Sequence, residues 1–555
     1  MRLTDKYHGG VPTDHLPPVL TETPIEPLRS VSIEWLNALY PRIIRERCNR
    51  FAWALRMCAR RLRPPPTESI WWLDKRQKAM HRQLVAQLNG RRFHDPMLGA
   101  IAAAAKAVGA TMMGEWDLGG GGASENAAVV YVSSSGDDGS DGLSWPTAKA
   151  SVAAAIAALP SSGGIVQLGA GTFEVASSAR TDAGVSYSAG TWTDSHITAD
   201  DVGSFVLGPN ILARTPQILI VNPGVSFTTD VAPTGTVTSE SMMIVSPGFV
   251  LEEGVQVKGM GSLANTNFTS TVTSATRIAD IGTGVTCLIR GGAYAARYGL
   301  SQLSIRGSAT TSTGNTFCGV FVGNQAWWTT IDACDIALHG TAGLITDSNM
   351  NALDVRDTLF LGNGKTSATG PSGGVCTSYF TPTASAGANF YNCLFFVNAG
   401  CGICWYTYGT GAGSYGINLH DCQFASTSAT SWATYSGYSM VLSGGGLGQA
   451  NLDGCWSESA ANGDIYVVTG PVVATSTTFY SATTTQGVVG SGGVLTTIGC
   501  YSDKSSGDVF SNSGTINWMG CQSAGAAWFA SGPSSTQLAG VGSSGGITKS
   551  GDTSL

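Results

Sequence analysis

The chain has 555 residues and a net charge of −7; 12% of its residues are charged and 73 are glycine. That is about half the usual charged share and well above the usual glycine share, while the aliphatic and aromatic content excludes disorder over most of the length. Charge is also divided: residues 1–118 hold 18 Lys/Arg against 11 Asp/Glu, and residues 119–555 hold 12 against 26, so the acidic second part is excluded as a nucleic-acid binder.

From the start of the chain, Met1-Arg2-Leu3-Thr4-Asp5-Lys6 leads into polar sequence without an apolar core, so no signal peptide is expected. Pro12, Pro17, Pro18, Pro24 and Pro27 make residues 1–30 an extended arm that would need a partner surface to become ordered. Ser32 is placed to cap a short helix ending near Pro41. Residues 42–63 predict a helix whose Ile44, Cys48, Phe51, Leu55, Cys58 and Leu62 form an a/d seam. Two readings stand: one helix packed on its neighbours, or a self-associating bundle, most simply a homotrimer. Pro64-Pro65-Pro66 ends that helix. A second runs from Thr67 to near Asn89, and a third from Ala100 to Ala110. The apolar window Met97–Met113 is mostly Ala and is broken by Lys106, too short and too weakly hydrophobic for a span, so no membrane insertion is expected. Gly119–Gly122 is a flexible joint. It separates a helical, basic region (1–118) from the rest through a linker (119–126).

Val129–Val132 predicts a strand. After it come an acidic Gly-rich turn (133–142), Trp145-Pro146, a short helix Ser151–Leu159, Gly163-Gly164, a strand Ile165–Leu168, and Gly169-Ala170-Gly171-Thr172-Phe173. Asp137, Asp138 and Asp141 lack the spacing and distal Glu of a calcium loop; they read as side chains bonding turn amides. Less regular strands follow (Ile218–Val221, Met243–Val245, Phe249–Leu251), and Val255–Lys258 opens a first regular coil.

A half-motif then recurs. Ile331-Asp332-Ala333-Cys334-Asp335-Ile336 returns around Thr358, Cys393, Cys422, Cys455, Cys500 and Cys521. With the Cys or Thr as position zero, an apolar residue stands at −3 in all copies but one, and Asp, Asn, Gly or once Ala stands at −1. A short, irregular period of strands and turns is the signature of a solenoid. The fold expected is all-β, a right-handed parallel β-helix over 127–530 preceded by the small α-helical region, with 531–555 a flexible tail. Alternation along the strands turns −3, zero and +2 inward and −4 and +1 outward. The thiols then read as free, stacked filler rather than disulfides. Cys401-Gly-Ile-Cys404 is a lone CxxC with no second pair, so no metal site is expected.

Function falls to the outward positions. Asn389, Asn392, Asn418 and Asn451 suit stacked amides at turns. Asp332, Asp335, Asp354 and Asp357 put four carboxylates on adjacent rungs of a charge-poor domain. Rungs lie about 4.8 Å apart, which suits the paired carboxylates of glycoside hydrolysis; the alternative is a solvated or Arg356-paired surface. Asp453 and Glu458 beside Trp456 form a second candidate pair. Trp327, Trp328, Trp405, Tyr406, Tyr408, Trp432 and Trp456 gather in expected loops, where flat rings suit stacking on sugars. His420 at −2 points outward. No dinucleotide, phosphate-loop, nucleophile-elbow or zinc-protease motif occurs, so no cofactor is expected.

The run from Val129 to Phe173 resembles the opening of the pectate-lyase-like β-helix superfamily, especially phage tailspikes and tail fibres. That resemblance covers about 45 residues. It implies a virion protein assembled in the host cytoplasm: residues 1–118 docking it to other virion proteins and the β-helix contacting host surface polysaccharide, as a homotrimer. Such a protein either attaches only, or is a depolymerase, hydrolase or lyase, acting on the same glycan. A cellular polysaccharide lyase or adhesin is a third reading, against which the basic N-terminus counts.

Overall fold

The computed structural model describes residues 128–539 and 553–554, apart from 210, 212–213, 234–235, 262–274, 293–296, 309–316, 347–351, 365–371, 378–386, 406–415, 431–435, 444–448, 481–485, 505–508 and 525–534. All of them lie in the second of the chain's two units, Gly119–Leu555. The helices, seam and arm expected in 1–118 fall outside the described residues.

Three long parallel sheets run side by side, of 14, 11 and 10 strands. Each coil contributes one strand to each sheet in turn, as Thr329–Asp332, Asp335–Ala337 and Ala342–Thr346 do. Each strand then pairs in parallel with its counterpart one coil on, so that Ile331 meets Val355, Ile336 meets Phe360 and Leu344 meets Val375. No strand could bury an apolar face alone; stacking makes one continuous core. The solenoid expected from the repeat is present. The first sheet also continues through Ser535–Ala539, within the segment expected as a tail.

The repeat register explains the turn chemistry. The residue at −1 bends the chain between first and second sheets with positive φ: Ala333 at 53°, Asp357 at 47°, Asn392 at 51°, Asp421 at 52° and Gly454 at 64°. Asp, Asn and Gly tolerate this left-handed region best, so the sequence preference at −1 is a backbone requirement. Two coils that the motif search passes over use the same corner, at Gln302-Leu303 and Ser476-Thr477, with φ of 56° and 50°. At zero, Leu303, Cys334, Thr358, Cys393, Cys422, Cys455, Thr477, Cys500 and Cys521 are all buried. Every described cysteine is a free thiol. Burial pushes the Cys334 thiol up to about 12 and those of Cys376 and Cys422 well above the usual range, which leaves them protonated and inert.

At +2, Phe360, Phe395 and Phe424 stack flat, with centroids 5.0 and 4.5 Å apart. Glycines of the third sheet make room for them: a Cβ on Gly374 would stand 2.9 Å from the Phe395 ring, and one on Gly402 would stand 2.7 Å from Phe424. At +5 a buried polar file, His339, Asn363 and Asn398, runs along the axis. The Asn363 side-chain oxygen accepts from the His339 backbone at 3.1 Å, and the Asn363 amide donates to the Ile336 carbonyl at 2.9 Å. The Asn398 amide donates to the Phe360 carbonyl at 2.9 Å. The side-chain oxygens of Asn363 and Asn398 thus satisfy the turn amides of His339 and Asn363, while their NH2 groups tie the file to the second sheet.

The start of the solenoid is capped by the helix Val152–Ala157. Its Ser151 hydroxyl accepts from the Ala154 amide at 3.2 Å, and Val152 and Ala155 plug the core. Asp137, Asp138 and Asp141 bond backbone amides of the adjoining turn, as expected. Residues 178–246, read from sequence only as irregular strands, form a six-stranded antiparallel sheet. An isolated bridge links Phe205, on the edge strand Phe205–Leu207, to Gln217, just before the opposite edge strand Ile218–Asn222. It encloses a core of its own around Trp192, Phe227, Val206 and Ile244. Through Phe205, Leu207 and Val245 it packs on the outer face of the third sheet, against Val285, Leu288 and Phe321.

Candidate functional site

The outer face of the first sheet is polar and carries most of the sequence candidates. Two files of side chains climb it, one residue per coil. The file at −4 is a hydrogen-bonded ladder. Asn389 donates to Asp354 at 2.9 Å, Asn418 to Asn389 at 2.8 Å, and Asn451 to Asn418 at 2.8 Å. Asn389 and Asn418 each donate to one neighbour and accept from the next, and the Asn451 side-chain oxygen accepts from Gln449. Asn392 likewise donates to Asp357 at the corner, at 2.7 Å.

The file at −2 is made of planar and charged groups. Asp332, Arg356, Tyr391, His420 and Asp453 follow one another in strand register. The Arg356 guanidinium lies over the Tyr391 ring, 5.1 Å from its centroid, and donates to Asp354 at 2.8 Å. Tyr391 stacks on His420, and His420 Nδ1 is 3.7 Å from an Asp453 carboxylate oxygen. Burial, reinforced by the Asp354 carboxylate, raises the Tyr391 phenol above its ordinary range. The two files together offer acceptors, donors and ring edges at the rung spacing, about 4.8 Å.

The four candidate aspartates do not form one constellation. Asp332, Asp354 and Asp357 belong to the first sheet and its corner. Asp354 is held by Arg356 and Asn389, and Asp357 by Asn392. Asp335 stands around the corner on the second sheet and is fully buried, where an outward, exposed side chain was expected. It lies outside the solenoid core but is covered by its neighbours: Arg306 donates to it at 2.8 Å and Ser304 at 3.2 Å. Burial pushes its carboxyl up, and Arg306 pulls it partly back.

The aromatic candidates separate as well. Trp405, expected on a loop rim, is 1% exposed. It ends the strand Cys401–Trp405 of the third sheet, where alternation turns it inward onto Phe390, edge-on at 6.3 Å. Trp328 is exposed beside Arg297, and Trp327 next to it is half-buried. Trp456 is exposed on the outer face of the second sheet. Tyr406, Tyr408 and Trp432 lie outside the described residues. Sequence reasoning missed Tyr391 as the partner of both Arg356 and His420, although all three share the −2 offset from position zero. It also missed Tyr501, next to Cys500, and Tyr480, whose coil has Thr477 at position zero and carries no copy of the motif.

No family model matches the chain, and no curated protein matches it. Solved structures similar in fold include the catalytic unit of a thermostable GH87 alpha-1,3-glucanase from Streptomyces thermodiastaticus, at 13% identity and a TM-score of 0.36, covering 68% of this chain and 88% of that one. The tailspike protein gp49 of Pseudomonas phage LKA1 is similar at 15% identity and a TM-score of 0.29, over 67% of this chain and 71% of that one. The tailspike gp61 of Pseudomonas phage phi297 is similar at 12% identity and a TM-score of 0.26, over 68% of each chain. With TM-scores all below 0.5, none of these likenesses bears on what this chain does.

Proposed function

We propose that the protein is a virion component, a bacteriophage tail fibre, tailspike or head spike, that attaches the particle to host surface polysaccharide. The observation that carries this reading is the paired files on the first sheet. Asp354, Asn389, Asn418 and Asn451 supply a row of hydroxyl-binding groups, and Arg356, Tyr391 and His420 supply ring edges and charge beside it. A long glycan laid along the axis meets a similar surface at every rung. Residues 1–118 dock the chain to other virion proteins, and the assembly is a homotrimer.

Attachment without cleavage is the reading favoured, because Asp335 is buried in an ion pair and Asp354 and Asp357 are already engaged. The second reading, a depolymerase, rests on the exposed His420–Asp453 pair. Incubating the protein with host capsule or lipopolysaccharide and following chain length separates the two. Retained binding with undiminished length supports attachment. Shortening supports the enzyme, and shortening that persists in Asp354→Asn and Asp357→Asn removes the aspartate cluster from its site. A chain lacking residues 1–118 should fold yet fail to join particles; normal incorporation would sink the docking role. A light-scattering mass near that of one chain would dispose of the trimer.

A further inference from the structure

The outer face of the second sheet carries a separate feature. Trp456, Tyr480 and Tyr501 are 44%, 47% and 41% exposed and stand on three successive coils. Trp456 and Tyr501 share one file, with Thr478 between them in register; Tyr480 stands in the next file, in register with Glu458. The Trp456 and Tyr480 rings are stacked, with centroids 6.0 Å apart and planes 29° from parallel. The Trp456 indole is pinned by donating to Glu458 at 3.2 Å. The result is a run of exposed aromatic rings roughly 10 Å long, at two rung steps.

We infer that Trp456, Tyr480 and Tyr501 form a second carbohydrate site, distinct from the files of the first sheet, that takes uncharged, hydroxyl-rich sugar rings. Ring faces bind the apolar faces of sugars, and polar neighbours take the hydroxyls. Gln423, Thr478 and Gln522 flank the rings in the same file. Glu458 supplies an acceptor beside the rings. Its carboxylate only accepts hydrogen bonds, and sugar hydroxyls donate to such a group. Charge sets the class of sugar. Of the residues on the five strands from Gln423–Ala425 to Gln522–Ser523, only Glu458 is charged, and its negative charge would repel an acidic polysaccharide.

The test is affinity electrophoresis of the full chain in gels containing dextran, an uncharged β-glucan, a galactomannan or a polyuronate, with Trp456→Ala, Tyr480→Ala and Trp456→Phe beside the unmodified protein. Retardation is expected in at least one uncharged gel. It should weaken about tenfold in either Ala variant, as for loss of a central aromatic contact, and be largely kept in Trp456→Phe. Light-scattering mass should be unchanged throughout. Retardation by the polyuronate alone, by none of the gels, or equally in all variants overturns the site. A fall in assembly mass in the Ala variants overturns it too, and makes the run of rings a contact with a second copy of this chain. Host-polysaccharide binding that survives in the Ala variants would leave the attachment reading standing on the first sheet while removing this site.

Discussion

The Tyr391 ring lies flat on the His420 imidazole, with centroids 5.0 Å apart and planes 7° from parallel. The two residues are 29 apart in sequence and one coil apart in space. Arg356 covers the other end of the stack and Asp453 stands beyond His420, so one file spans four coils.

That stack predicts a division between stability and binding. Tyr391→Ala should cost about 0.5–1.5 kcal/mol beyond its lost area, the worth of an aromatic pair. His420→Ala should cost no more, since an exposed His–Asp pair adds about 1 kcal/mol at most. Binding to host polysaccharide should fall about tenfold in Tyr391→Ala if this ring is a central contact. Urea titration and affinity electrophoresis of the same samples check both halves; unchanged binding would remove the file from the attachment surface.

His339 predicts an acid-sensitive core. It is wholly buried, and burial lowers its pKa from 6.5 to about 4, against smaller opposing effects of Asn363 and Asp280. A histidine depressed on folding contributes stability that is complete above about 6.5 and is lost as pH falls toward 4, because the unfolded chain takes up the proton first. The gap corresponds to roughly 3 kcal/mol. His339→Asn, which continues the amide file of Asn363 and Asn398, should flatten the loss between pH 7 and pH 4.5. Denaturant midpoints at the two pH values decide it, and an unaltered slope would show that other groups carry the acid sensitivity.

Asp335 predicts the opposite sign. Its carboxyl is raised on folding, so its unfavourable charge is felt as pH rises above 3.8 and relieved below it. Removing Arg306 by Arg306→Met leaves that charge without its main partner. The penalty at pH 7.5 should be about 3–5 kcal/mol, as for breaking a buried pair, and clearly smaller near pH 4, where Asp335 binds a proton more cheaply. Equal penalties at both pH values would mean that Asp335 is not ionised in the folded protein.

Two kinds of glycine should respond differently. Gly402→Ala drives a Cβ to 2.6 Å from the Ser439 carbonyl oxygen and 2.7 Å from Phe424, an overpacking that should cost about 1–3 kcal/mol. Gly520 has open space around its Cβ but a φ of +63°, so Gly520→Ala should cost about 1–2 kcal/mol by backbone strain alone. Gly520→Asn should recover part of that, because asparagine stands at this corner in Asn392. Melting temperatures of the three variants check the ranking; a harmless Gly402→Ala would mean that the Phe stack yields freely.

The solenoid was legible because its constraint repeats. Each coil must turn inward at −3, zero and +2 and bend at −1 through a left-handed residue, so apolar side chains, thiols and Asp, Asn or Gly return at fixed offsets from one another. That pattern set the strand faces, the buried free cysteines and the amide ladder through Asn389, Asn418 and Asn451. Where zero is Leu303 or Thr477 the same corner exists without the Cys that marks it, and the coil went unread.

Position around the coil was not legible, because loops of unequal length lie between coils and hide which residues stand in register. Only the tertiary structure put Arg356 against Tyr391 and Tyr391 against His420, or aligned Trp456 with Tyr501 across an unread coil. It also buried Asp335 and Trp405, both of which a strand-by-strand reading left exposed. Alternation tells which way a side chain leaves its own strand, but burial depends on what neighbouring coils lay over it, and that is decided by packing across the stack.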